Sequence, residues 1–158
     1  CRVFSSLFGL PTVCLRYFNV FGPRQDPLSQ YAAVIPNFIT KILRGVSPTI
    51  YGDGEQSRDF TFVENVVEGN ILASLATHLR GAALNIACGD RITVNGLVRE
   101  INDVLGTDVK PAHAGERPGD IKHSNADISN AVQALHYAPK VAFREGLMRT
   151  AEWYRSRA

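Results

Sequence analysis

Helix-like and strand-like patterns alternate along this chain. Apolar residues recur at helical spacing over 32–43, 61–75 and 93–105, and short runs rich in β-branched or aromatic residues separate these segments. The strongest run, Thr12–Phe18 (TVCLRYF), predicts a buried strand of a parallel sheet, with Cys14 as a small core residue. Because this order is typical of helices packed on parallel strands, we predict an α/β fold.

Two of the helices carry recognisable start signals. Thr93 is placed to cap one helix, and Gly106 is placed to end it. Thr61 and Glu64 have the spacing of a capping box for another. The apolar residues of that second helix recur at helical spacing and are expected to face the core. They are Val63, Val66, Val67, Ile71 and Leu75.

Charge and cysteine usage argue against several kinds of protein. The net charge is only +2 and no basic run is present, so we expect no nucleic-acid partner. The 3 cysteines form no CxxC pair, and the 4 histidines lack metal-ligand spacing, so neither a disulfide framework nor a metal site is predicted. No apolar stretch reaches membrane-spanning length and no signal peptide is visible. We therefore expect a cytoplasmic chain with no membrane partner.

The start of the chain has the pattern of a helix end. Residues 1–10 show helical spacing with Gly9 placed to stop the helix, yet no cap precedes Cys1. No glycine-rich turn of the GxGxxG kind joins a strand to a helix in this sequence. We therefore expect that a complete dinucleotide-binding unit is absent and that a preceding segment has been lost.

Four stretches together resemble one enzyme family. They are 15–24 (LRYFNVFGPR), 49–54 (TIYGDG), 57–60 (SRDF) and 116–120 (ERPGD). In order and approximate separation they resemble the C-terminal half of the NAD-dependent epimerase/dehydratase family, which are extended short-chain dehydrogenases/reductases, and are closest to UDP-N-acetylglucosamine/UDP-glucose 4-epimerases. The resemblance implies that residues 1–30 are the end of a Rossmann-type NAD-binding domain. It implies that 31–158 form the smaller substrate-binding α/β domain.

Three polar residues are candidates for binding a diphosphate. Asn19 directly follows the predicted strand 12–18, and ligands of parallel sheets lie beyond the carboxyl ends of strands. Arg58 and Arg117 carry guanidinium groups, which bind phosphate oxygens bidentately and keep their charge. The alternatives are a turn-stabilising asparagine and two exposed arginines paired with their neighbouring acids, each pair contributing ~0–1 kcal/mol.

The resemblance assigns further roles around these residues. It implies that Arg58 and Arg117 grip the diphosphate and that Asp120 takes the ribose hydroxyls. It places Tyr51 beside uracil, where an aromatic ring can stack on a base, although an edge-strand core position is an equal alternative. The remaining implied contacts are Ala33, Val34 and Pro36 along the uridine, and Tyr17 and Phe18 on the nicotinamide side of NAD.

Ser124 bears on the choice of sugar. By the resemblance this position flanks the 2-substituent of the sugar, and a small residue leaves room for an N-acetyl group. Serine therefore favours UDP-N-acetylglucosamine/UDP-N-acetylgalactosamine, with glucose/galactose or the uronic acid also accommodated. The alternative is that Ser124 only caps a turn.

Catalysis in this family uses a Tyr-x-x-x-Lys pair, and none of the 5 tyrosines here has that lysine. We therefore predict no catalytic residue, no tight NAD binding, and the inactive substrate-binding half of a nucleotide-sugar 4-epimerase. One alternative is half of a dTDP-glucose 4,6-dehydratase or UDP-glucuronate decarboxylase. Another is a stand-alone, non-catalytic module that binds UDP-sugar or self-assembles. We also expect self-association through the strand at 12–18, because exposed strand edges pair.

Overall fold

A computed structural model describes residues 1–28 and 34–157. Six helices are found there: α1 Arg2–Phe8, α2 Val34–Leu43, α3 Val63–Leu75, α4 Val94–Leu105, α5 Ser129–Leu135 and α6 Phe143–Arg155. The strands in the same ranges are β1 Thr12–Tyr17, β2 Val20–Phe21, β3 Thr49–Tyr51, β4 Ser57–Arg58, β5 Thr61–Phe62, β6 Arg80–Ile86, β7 Ile92–Thr93, β8 Ala112–Ala114 and β9 His123–Ser124. The predicted α/β class is confirmed.

The strands pair mostly in parallel, as the alternating pattern predicts. β1 pairs with β6, β2 with β5 and β3 with β8, all in parallel. β4 lies between β9, which is parallel to it, and β7, which is antiparallel. Parallel neighbours bring their carboxyl ends to the same edge, so the loops after β1 and β6 lie close together.

Two apolar clusters hold these layers together. The larger cluster joins α2, α4 and α6 to β2 and β5, with Ile35, Phe62, Leu97 and Leu147 fully buried. The smaller cluster packs α3 and α5 on β6, around Ile86. The larger cluster lies beneath the polar residues that are described below.

Three predicted helix boundaries are confirmed. α1 ends at Gly9, which adopts the left-handed conformation (φ 64) that glycine reaches without steric cost. α4 begins with a Thr93 cap, whose side-chain oxygen accepts the N–H of Gly96 at 3.0 Å, and it ends at Gly106.

The capping box predicted for α3 is wrong. Thr61 belongs to β5, where it pairs with Val20 and is fully buried. The helix therefore starts two residues later, at Val63, without a side-chain cap. Glu64 instead accepts hydrogen bonds from Arg149 of α6. The strand ladder holds the backbone of Thr61 extended, which removes its side chain from the helix end.

The predicted core face of α3 is also largely wrong. Val66 is buried, but Val67, Ile71 and Leu75 are 50%, 49% and 75% exposed. Gly69 faces inward instead, and a Cβ there would lie only 3.0 Å from Ile86. A small residue is needed where the helix crosses β6 this closely, so the larger apolar side chains turn outward.

β1 is not the fully buried strand that its composition predicts. Cys14 is exposed, and so is Tyr17, because β1 has a partner strand on one edge only among the described residues. The apolar residues of β1 therefore lie at a partly exposed surface and not in a core.

Candidate functional site

A cleft of about 570 Å³ opens between α2, the β3–β4 region and the loop at 117–120. Six of the residues predicted to bind a ligand line it: Asn19, Val34, Tyr51, Arg58, Arg117 and Asp120. They come from four separate stretches of sequence that the fold brings to one place. Their roles toward a ligand stay predictions.

Arg58 is the most firmly held cation of the cleft. Its Nη2 lies 2.5 Å from Oδ1 of Asp120, and its Nη1 donates to the carbonyl oxygen of Ser57 at 2.9 Å. The Arg58 side chain is only 17% exposed. The alternative of a surface pair between Arg58 and its neighbour Asp59 is therefore wrong: the partner is 62 residues away along the chain.

Arg117 is held by an aromatic ring. Its guanidinium carbon lies 3.7 Å from the centroid of the Tyr51 ring, within the range of a cation–π interaction. Tyr51 is partly exposed at the end of β3. A nucleobase that stacks on Tyr51 must therefore use the opposite face of the ring or displace Arg117.

Asn19 occupies a strained position after β1. Its backbone has φ 33, a left-handed value that residues other than glycine seldom adopt. Its Nδ2 donates to the carbonyl oxygen of Asp59 at 2.9 Å. The side chain thus stabilises the loop, as the structural alternative required, while it also lines the cleft.

The other predicted contacts that the structure describes do not line the cleft. Pro36 is buried within α2, and Ser124 is on β9, where it is the register partner of Arg58. Tyr17 lines a separate groove between β1 and α3, and its hydroxyl donates to Oδ1 of Asn70 at 2.9 Å. Phe18 is tied to Ile86, whose carbonyl oxygen accepts the Phe18 N–H at 3.3 Å. Ala33 falls outside the described residues.

Several cleft residues had no place in the sequence prediction. Asn37 and Lys41 line the cleft from α2. They are one helical turn apart, and polar residues at that spacing in an otherwise apolar helix are the signal that could have identified them. Gln56 also contributes, and its Nε2 donates to the carbonyl oxygen of Tyr51 at 2.7 Å. Lys41 adds a third cation to the two arginines.

Asp59 is fully buried beside the cleft rather than at the surface. Backbone N–H groups of Cys88 and Gly89 donate to its two carboxylate oxygens at 3.0 and 2.9 Å. Burial raises the pKa of Asp59 above its ordinary value, because desolvation disfavours the charged form, and these hydrogen bonds oppose the shift.

The cleft combines Arg58, Arg117 and Lys41 with a single acid, Asp120. Guanidinium groups, an amide and an aromatic ring are suited to a phosphorylated nucleoside. Within residues 1–28 and 34–157, no three His, Cys, Asp or Glu side chains cluster as metal ligands would. None of the helices found in those ranges is both long and apolar enough to span a membrane.

Known proteins match this chain over almost all of its length. The NAD dependent epimerase/dehydratase family profile matches residues 1–87. A UDP-N-acetylglucosamine 4-epimerase from Methanobrevibacter ruminantium, solved in complex with UDP-N-acetylmuramic acid, superimposes with a TM-score of 0.92 at 49% identity. That match covers 99% of this chain and 50% of the other.

Two further relatives are named for different activities. An uncharacterised UDP-glucose epimerase of Bacillus subtilis is 37% identical, covering 93% of this chain and 45% of its own length. A UDP-N-acetyl-α-D-glucosaminuronate decarboxylase of Bacillus cytotoxicus is 31% identical, covering 95% and 48%. The chain thus spans about half the length of the relatives it matches.

Proposed function

The chain belongs to the NAD-dependent epimerase/dehydratase family, and from that premise we propose that it is the substrate-binding half of a nucleotide-sugar 4-epimerase. Its cleft binds the diphosphate of a UDP-sugar, with Arg58 and Arg117 on the phosphate oxygens and Asn19 beside them. The observation that carries this proposal is that the two guanidinium groups and the strand-end amide share one cleft.

Each group in the cleft suits a different part of a UDP-sugar. Arg58 is already oriented by Asp120, so little side-chain freedom is lost when it receives a phosphate. Asp120 accepts hydrogen bonds and suits ribose hydroxyls. Val34 and Tyr51 supply apolar and aromatic surface for the base, with Ala33 and Pro36 as the proposed neighbours. Binding energy at the unreactive nucleotide then positions the sugar for reaction.

We favour a sugar with a 2-N-acetyl group. Ser124 is small and lies opposite Arg58 on the neighbouring strand, so it leaves room next to the diphosphate. The 49% identical relative is a UDP-N-acetylglucosamine 4-epimerase, and the ligand in its structure is UDP-N-acetylmuramic acid. UDP-N-acetylglucosamine and UDP-N-acetylgalactosamine are therefore the proposed substrates of the complete enzyme.

A decarboxylase is the second candidate. The Bacillus cytotoxicus relative acts on a UDP-N-acetyl sugar acid. The same arginine pair and the small side chain of Ser124 suit either reaction, because both substrates share the diphosphate and the 2-N-acetyl group. Product analysis with the complete enzyme separates the two: a sugar epimer supports the first candidate, and released carbon dioxide supports the second.

The family is NAD-dependent, and we propose that this chain alone does not bind NAD tightly. The sequence has no glycine-rich phosphate loop, and the hydroxyl of Tyr17 is engaged by Asn70 in a groove separate from the cleft. We propose that Tyr17 and Phe18 only flank the nicotinamide in a complete enzyme and that this chain alone has no turnover. Conversion of UDP-N-acetylglucosamine by the isolated chain with NAD would contradict this.

We propose that residues 1–30 belong to the NAD-binding domain and residues 31–158 to the substrate-binding domain. β6, from the second stretch, pairs with β1 from the first. We propose on this basis that β6 completes the sheet of the NAD-binding domain, although it lies within 31–158 in sequence.

Calorimetry with UDP tests the binding proposal. We expect the wild-type chain to bind UDP and Arg58→Ala to raise the Kd about tenfold or more, because a hydrogen bond to a charged group contributes about 1.5–3 kcal/mol. Arg144→Ala is the matched control, since Arg144 is also ion-paired but to Glu100, away from the cleft. Absence of binding by the wild type, or an equal effect of both variants, would contradict the proposal.

A further inference from the structure

The buried carboxylate of Asp59 has no role in the ligand contacts proposed above. It does not line the cleft, and its residue is fully buried, although its neighbour Arg58 lines the cleft. An interior carboxylate is costly unless its oxygens are hydrogen-bonded. Among the described residues, Arg58 forms its ion pair with Asp120 and not with Asp59. Asp59 must therefore be stabilised in another way.

Three backbone N–H groups from two distant loops supply that stabilisation. The N–H of Cys88 donates to Oδ1 at 3.0 Å, and those of Gly89 and Ala126 donate to Oδ2 at 2.9 and 3.4 Å. A carboxylate accepts at both oxygens, whereas an asparagine would place an NH₂ donor against one of these N–H groups. The site is thus specific for the acid.

The backbone of Asp59 also forms hydrogen bonds with two further segments. The N–H of Asp59 donates to the carbonyl oxygen of Ser124 at 3.0 Å, and its own carbonyl oxygen accepts Nδ2 of Asn19 at 2.9 Å. The segments that follow β1, β6 and β9 are therefore all fastened to one residue. One of them holds Asn19 in its strained left-handed conformation (φ 33), which requires support from its surroundings.

We propose that Asp59 is a positioning residue that sets the geometry of the diphosphate site. Its carboxylate fastens the segments after β6 and β9, while its backbone carbonyl oxygen and N–H hold Asn19 and β9, so a shift of residue 59 displaces both Asn19 and the neighbouring Arg58. Asp59 touches no ligand and acts only through these neighbours. The inference rests on the proposed function for the identity of the ligand, but the fastening of the loops is independent of it.

The first arm of the test is UDP affinity by calorimetry. Asp59→Asn is expected to raise the Kd for UDP about tenfold or more, because two loops lose a charged hydrogen-bond acceptor and the cleft loses its shape. Asn102→Ala is the control: Asn102 is also buried, and its Oδ1 accepts the hydroxyl of Thr107 at 2.8 Å and the N–H of Val109 at 2.9 Å, away from the cleft. At comparable losses of Tm, the control should keep the wild-type Kd. Equal affinities for Asp59→Asn and wild type would overturn the proposal.

The second arm needs no ligand. Hydrogen exchange of peptides covering 86–90 and 123–127 should be about tenfold faster in Asp59→Asn than in wild type, and unchanged in Asn102→Ala. Wild-type exchange at both places in Asp59→Asn would overturn the proposal. If the wild type does not bind UDP, the proposed function fails, and this arm still decides whether Asp59 fastens the loops.

A second variant covers the case in which Asp59→Asn does not fold. Asp59→Glu keeps the charge and both acceptors but displaces them by one methylene, so the hydrogen bonds can still form once the loops shift, and circular dichroism establishes that the variant is folded before its Kd is measured. Its Kd for UDP should rise about fivefold or more, since misplacement of a binding group lowers affinity steeply. A folded Asp59→Glu protein with the wild-type Kd would show that the position of this carboxylate does not matter, and the proposal would fall.

Discussion

Arg58 and Arg117 reach the same cleft but are held by different physical means. Arg58 is fixed by the Asp120 carboxylate and the Ser57 carbonyl, so it is preorganised for an anion. Arg117 rests on the face of Tyr51, a contact of about 0.5–2 kcal/mol that it can exchange for a phosphate. The two arginines should therefore respond differently to conservative substitution.

We predict that Arg117→Lys weakens UDP binding about tenfold, because a lysine neither binds phosphate bidentately nor stacks as well on a ring. Calorimetry measures the change in Kd. Arg157→Lys is the control, since Arg157 stacks on Trp153 at 4.5 Å from its centroid, away from the cleft. A Kd within twofold of wild type for Arg117→Lys would contradict a bidentate role.

The cleft residues that sequence could identify are those whose type alone indicates their chemistry. Arg58, Arg117 and Tyr51 lie in turn-rich motifs that are typical of ligand loops, and all three line the cleft. The burial of Asp59 could not be foreseen, because its hydrogen-bond partners lie 29 to 67 residues further along the chain. Lys41 was missed because its helix has an ordinary amphipathic pattern.

For the helices and strands, it is easier to predict from sequence where an element forms than which of its faces is buried. The apolar spacing correctly predicts that 63–75 is helical, but it cannot tell which face is buried. The close approach of Ile86 to Gly69 decides that, and only the small residues of α3 fit there. A similarly close contact occurs where α6 crosses Phe62.

We predict that Gly146→Ala destabilises the protein by about 1–3 kcal/mol, the usual cost of overpacking a core. Gly146 lies within α6, where alanine would ordinarily stabilise a helix by about 1 kcal/mol. Here the new Cβ would lie 2.7 Å from Cγ of the fully buried Phe62, and α6 must move away. Urea unfolding measures the free energy.

Ser74→Ala is the control for this substitution, because Ser74 is exposed on α3. It should leave the free energy of unfolding unchanged or raise it by a few tenths of a kcal/mol, as helix propensity requires. Stabilisation of the protein by Gly146→Ala would show that α6 does not pack on Phe62 as described.

Among the described residues, α1 and the neighbouring strand β1 expose several apolar side chains on the surface of the molecule. On α1, Val3, Leu7 and Phe8 are 65–71% exposed, and the neighbouring strand β1 has a free edge among the described residues. Exposed apolar patches and unpaired strand edges promote association between copies. We propose that a second copy of this chain covers the region, as the composition of the strand led us to expect.

Light scattering at increasing concentration tests this prediction. The wild type should form dimers or larger species, and Leu7→Glu should shift the chain toward monomer because a charge cannot be buried there without cost. Met148→Glu is the control, since Met148 is also exposed but lies on α6. A monomeric wild type at all concentrations, or equal effects of both variants, would contradict self-association through α1 and β1.

A crystal structure of the chain with UDP tests the diphosphate site most directly. Phosphate oxygens should lie about 3 Å from the guanidinium nitrogens of both Arg58 and Arg117, with the uracil toward Tyr51 and α2. UDP bound at another surface, with both arginines free of phosphate, would contradict the account.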